Sequence, residues 1–82
     1  KQNYPNPFNP VTKIEFSVPV AEFITLKIFD IMGREIFTLV NEKLQPGTYE
    51  KSFDGSQLTS GVYFYKIAIG DFVSTKKMLL VR

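Results

Sequence analysis

Eighty-two residues, 44% of them hydrophobic and 15% aromatic, with a formal charge of +2, make one small domain that draws much of its buried area from Phe and Tyr rings. That content excludes a disordered chain, and lysines interleaved with eight acidic residues read as a solvated surface rather than a nucleic-acid face. With neither His nor Cys, imidazole catalysis, thiol nucleophiles, disulfides and thiolate metal sites are excluded as well.

No apolar run approaches the roughly 20 residues of a membrane-spanning helix, and no signal peptide opens the chain. It starts at Lys1 without a methionine, and Leu79, Leu80 and Val81 run almost to its last residue. The expectation is a piece from the C-terminal end of a longer protein.

Residues 1–10, Lys-Gln-Asn-Tyr-Pro-Asn-Pro-Phe-Asn-Pro, hold three of the five prolines. Each proline fixes its φ, lacks a donor and pushes its predecessor toward extended geometry, so the segment reads as a stiff lead-in outside any ladder, a linker by composition. Tyr4 and Phe8 are more than a linker needs and suit a segment pinned to the domain. Residues 11–82 then form the single domain.

Over 12–18, Ile14, Phe16 and Val18 alternate with Lys13, Glu15 and Ser17, which predicts a strand with one wet face ended by Pro19. Residues 23–29 repeat the pattern with Ile24, Leu26 and Ile28 inward. Asp30-Ile31-Met32-Gly33 places Asp first and Gly fourth, the preference of a type I turn, and leads into a second strand over 34–40, making a hairpin. Residues 41–47 read as a polar connection ending in Pro46-Gly47. Tyr49, Lys51 and Phe53 then share a face, and the lysine there predicts a peripheral strand or a snorkelling side chain.

After Asp54-Gly55, Leu58 is expected to plug the core. Beyond Gly61, Val, Ile, Tyr and Phe fill nearly every place to residue 69, with Tyr63, Tyr65, Ile67 and Ile69 on one face and Val62, Phe64, Lys66 and Ala68 on the other. Neither face is fully polar, so this strand belongs inside a sheet, and Tyr63 is placed for a hydroxyl bond at a sandwich corner. Gly70-Asp71 suits a tight hairpin into the last strand, with Phe72, Met78 and Leu80 on one face and Val73, Leu79 and Val81 on the other. Six or seven such strands without a helical period predict an all-β fold, a small antiparallel β-sandwich.

Chemistry is sparse. Asp30 and Asp54 sit in turns where they cap their own backbone, and the remaining carboxylates read as solvated surface. No phosphate loop, zinc spacing or calcium loop occurs, so the chain is not expected to be an enzyme or to hold a cofactor or metal. Lys76-Lys77 suits a charged edge that resists aggregation, or a basic pair offered to an anionic partner. Phe29 and Phe64 suit cross-strand packing more than a sugar platform.

Along nearly its whole length the chain resembles the type A C-terminal sorting domains of the type IX (Por) secretion system. The resemblance rests on Tyr4-Pro5-Asn6-Pro7-Phe8-Asn9-Pro10 with Thr12, Ile14 and Phe16, and on Leu26-Lys27-Ile28-Phe29-Asp30-Ile31-Met32-Gly33-Arg34. It continues in Pro46-Gly47, Asp54-Gly55, Leu58, Ser60-Gly61-Val62-Tyr63-Phe64-Tyr65 and Thr75-Lys76-Lys77-Met78-Leu79-Leu80. It implies an immunoglobulin-like sandwich at the end of a cargo protein exported through the periplasm, read by an outer-membrane translocon, and removed by a sortase-like peptidase as the cargo reaches the cell surface or medium.

By position, the family's early proline motif falls on Pro5 and Pro7, its middle motif on Asp30, Gly33 and Arg34, and its terminal motif on Lys76, Lys77, Met78, Leu79, Leu80 and Val81. Recognition is then expected through edge pairing to the last strand and charge at Lys76 and Lys77, and an unpaired edge also leaves a dimer open. The rival readings are an immunoglobulin-like spacer of a multidomain secreted enzyme and a carbohydrate-binding module.

Overall fold

The computed structural model describes residues 2–81, and Lys1 and Arg82 lie outside the described residues. Period-two alternation builds six strands: β1 (Val11–Val18), β2 (Glu22–Phe29), β3 (Glu35–Leu44), β4 (Gly47–Asp54), β5 (Gly61–Ile69) and β6 (Phe72–Leu80). All pair antiparallel, in one four-stranded sheet ordered β3-β2-β5-β6 and one two-stranded sheet of β1 and β4. The fold is the expected all-β class, a small sandwich with six strands.

The buried face of each strand follows the alternation. Ile14, Phe16 and Val18 of β1 and Phe53 of β4 pack over Ile24, Leu26, Ile28, Tyr63, Tyr65, Ile67, Met78 and Leu80 of the larger sheet. β5 lies between β2 and β6, as its two apolar faces require. Tyr63 donates its hydroxyl to the Thr59 carbonyl at 2.7 Å, closing the corner before the strand. Leu58 packs half-buried against the core. On the outer face, Phe29 and Phe64 are register partners, and Lys66 Nζ lies 5.9 Å from the Phe29 ring centroid.

Two expectations need correction. Residues 41–44 are strand, not connection: Asn41, Glu42, Lys43 and Leu44 pair with Thr25, Ile24, Phe23 and Glu22, so the turn shrinks to Gln45-Pro46. Their polarity reflects an edge position, where one flank of the strand meets water. β3 also carries register shifts opposite Leu26/Lys27 and Ile28/Phe29, and such irregularities blunt this edge against pairing with another chain.

The second correction concerns the lead-in, which is not ladder-free. Tyr4 forms an antiparallel bridge with Lys13 of β1, and Phe8 a parallel bridge with Leu80 of β6. Phe8 is only 1% exposed and meets Phe53 edge-on at 6.1 Å, which makes it core rather than linker. The prolines remove donors, but Tyr4 and Phe8 between them keep theirs. The lead-in thereby crosses the seam between β1 and β6 and joins the two sheets along one half of that seam.

Candidate functional site

The early and terminal motifs meet. On the β6 side, Phe8 donates its backbone N–H to the Leu79 carbonyl and accepts from the Val81 N–H, both at 2.9 Å. The Asn6 side chain behaves like one more strand residue: its amide donates to the Lys77 carbonyl at 3.3 Å, and its oxygen accepts from the Leu79 N–H at 3.0 Å. On the β1 side, Tyr4 and Lys13 exchange backbone bonds of 2.9 and 2.8 Å. Beneath them, the buried Asn3 amide donates to the Thr12 hydroxyl, which in turn donates to the Pro5 carbonyl, each at 2.9 Å.

Pro5 thus serves as an acceptor, Pro7 sits exposed between the two anchors, and Met78 and Leu80 are core side chains. Leu79 and Val81, on the opposite face of the last strand, are exposed. Tyr65 lies under the lead-in, where burial raises its pKa against the lowering effect of the Asn3 backbone N–H at its hydroxyl. A hydrogen bond to Glu50, more than any other contact, raises that of Tyr4.

The middle motif stands at the far end, in the β2-β3 hairpin. Gly33 donates to the Asp30 carbonyl at 3.0 Å and carries φ 81°, so a type I turn passes into a left-handed residue that suits glycine. One Asp30 carboxylate oxygen accepts from the backbone N–H groups of Met32 and Arg34, and the other from Arg34 Nε at 2.8 Å. These bonds, the Arg34 backbone bond foremost, hold the Asp30 carboxyl below its usual range. Asp30, Gly33 and Arg34 therefore make a rigid turn, as expected of a capping aspartate. Ile31 and Met32 at its tip are exposed.

Lys76 and Lys77 lie on opposite faces of β6. Successive residues of a strand face opposite sides, so Lys77 points from the outer face, while Lys76, half-buried, lies on the inner face beside β1. Lys76 borders a groove of about 390 Å³ in the other half of the β1-β6 seam, the half that the lead-in leaves open. Ile14, Phe16, Tyr65, Ile67 and Ile69 provide its apolar walls, and Phe72, Ser74 and Glu15 part of its rim. Phe72 thus shares the face of Met78 and Leu80 but lies beyond the packed core, 60% exposed.

The side chains that organise this region and were not expected from the sequence are Asn3, Asn6 and Thr12. Their signal was faint: asparagines beside prolines, where a side-chain amide can bond an edge that a proline cannot. Among the described residues no three His, Cys, Asp or Glu side chains gather to hold a metal.

The structure is thus a small β-sandwich whose proline-rich lead-in is stitched to its last strand. The profile of the secretion system C-terminal sorting domain matches residues 2–81, and the chain belongs to that family. Among solved structures the chain is similar to one described as PorZ, an essential bacterial surface component of the type IX secretion system of Porphyromonas gingivalis. The TM-score is 0.68 at 21% identity, over 99% of this chain and 11% of that one. At this identity the likeness is one of fold, and the chain spans a small part of that protein's length. No curated protein matches.

Proposed function

We propose that this domain is the address by which the type IX machinery exports an attached cargo to the cell surface or medium, and that a sortase-like peptidase then removes it. Family membership over residues 2–81 carries the reading. The geometry supports it in one respect: the early and terminal motifs come together only in the folded sandwich, so a receptor reads a surface rather than a linear tail. Phe8, Met78 and Leu80 hold that surface in shape from within the core. Lys76, Lys77, Leu79 and Val81, together with the hairpin built by Asp30, Gly33 and Arg34, are the parts of the motifs that a receptor reaches.

The test is to fuse residues 1–82 to a reporter with its own signal peptide and follow it in a type IX-competent host and a translocon-deficient strain. Arrival at the surface or in the medium only in the competent host is expected. A folded fusion retained in the periplasm of both strains sinks the reading.

A further inference from the structure

We infer that the open half of the β1-β6 seam is a docking groove for an extended segment of a partner, which adds as a strand to β6 beside Val73 and Thr75 and sets a carboxylate against Lys76. The inference rests on the sorting reading for one point, that the partner belongs to the export machinery.

Three observations converge on it. The first is the unpaired edge. In an antiparallel ladder every second residue turns its N–H and C=O away from the partner strand. On β6 these are the odd-numbered residues, because the Lys77 carbonyl, the Leu79 N–H and carbonyl and the Val81 N–H all bond outward to the lead-in. Val73 and Thr75 present the same groups along the same edge, and among the described residues nothing pairs with them. The last strand is therefore half closed and half open.

The second observation is continuity. The lead-in shows what this seam accepts: an extended segment that bonds the β6 edge and sends one side chain, Phe8, between the sheets. The groove continues the same strip past the point where the lead-in leaves it. Its apolar walls, Ile14, Phe16, Ile67 and Ile69, suit the inward row of an added strand, while alternate residues face solvent.

The third is charge. Lys76 lies half-buried at the groove and makes no ion pair among the described residues, Glu15 on the opposite, β1 side of the rim included. A partly desolvated ammonium favours a ligand that brings an acid, and that preference sets which segment fits as well as its register. Lys77, on the outer face, has no such role in the groove.

Export of the reporter fusion in the competent host tests this, with folding followed by thermal melts of each purified domain. Thr75→Pro removes only an outward N–H and leaves the β5 ladder intact, as proline on an open edge does. Ser74→Trp fills the groove, and Lys76→Glu reverses its charge. Each is expected to lower export about tenfold or more, the scale of one lost anchoring contact. Thr75→Val, Ser74→Ala and Lys76→Arg, which keep the outward N–H, the open groove and the charge, are expected to export like the parent chain.

If Thr75→Pro and Lys76→Glu fold and are exported like the parent, the groove proposal falls and the sorting reading stands. If Thr75→Pro does not fold, Lys76→Glu and Ser74→Trp decide the matter. Failure of the parent fusion itself overturns both. A concentration-dependent dimer of the parent domain that Thr75→Pro abolishes assigns the edge to a second copy and overturns the groove proposal.

Discussion

The two halves of β6 share one strand and differ in what lies along its edge. Over 77–81 the lead-in supplies backbone bonds through Phe8, side-chain bonds through Asn6 and a buried ring, and the terminal motif residues Met78 and Leu80 are used up in the core. Over 72–76 the same edge meets no other segment among the described residues, and the inner face opens into a groove. The stretch, basic then apolar, is thus divided: Met78 and Leu80 are buried in the core, while Lys77, Leu79 and Val81 are exposed and Lys76 is half-buried at the groove.

That division can be broken most severely at the closed half. Phe8→Ala removes a buried ring that touches Phe53, and is expected to cost about 3–5 kcal/mol in urea unfolding, a large part of the stability of so small a domain. Thr12→Val keeps the shape but leaves one hydrogen of the buried Asn3 amide without its partner, the other still reaching the Pro5 carbonyl at 3.2 Å; about 1–3 kcal/mol is expected by the same measurement. Asn6→Ala deletes two exposed bonds to the β6 edge and is expected to cost about 1 kcal/mol. A loss from Asn6→Ala as large as that from Phe8→Ala would mean that edge bonding, rather than the ring, holds the lead-in. At the other face, Lys77→Glu is expected to stay within about 0.5 kcal/mol.

The smallest effect is on pH dependence. Asp30 and Glu35 have lowered carboxyl pKa values, by the Arg34 backbone bond and by the Thr38 hydroxyl respectively. Their contribution is present above the usual values of 3.8 and 4.5 and is lost as pH falls through the lower folded values. Tyr65 and Tyr4 have raised values, so stability is lost as pH rises past 10.0 toward their folded values. Melting temperature is expected to be flat between these limits, and replacing Tyr65 by Phe is expected to soften the alkaline fall.

Much of the fold was legible because strand alternation writes burial directly. Ile14, Phe16, Val18, Ile24, Leu26 and Ile28 were assigned to the core from spacing alone, and the β2-β3 and β5-β6 hairpins from Asp30-x-x-Gly33 and Gly70-Asp71. Edge strands are harder, since half of their surroundings is water. Asn41, Glu42 and Lys43 therefore read as a loop although they belong to β3. The lead-in was harder still, because proline statistics describe local conformation and say nothing of a bridge between Phe8 and Leu80, 72 residues apart in sequence. Lys76 and Lys77 read as a charged pair for a similar reason: adjacency in sequence suggested a common surface, and the pleat separates them.

The most direct test of the closed and open halves is amide hydrogen exchange on the isolated domain, residue by residue along β6. Leu79 and Val81, bonded to Asn6 and Phe8, are expected to exchange slowly, and Val73 and Thr75 fast. Equal, rapid exchange at all four amides would contradict a lead-in docked on this edge, and slow exchange at Val73 and Thr75 would contradict an open groove.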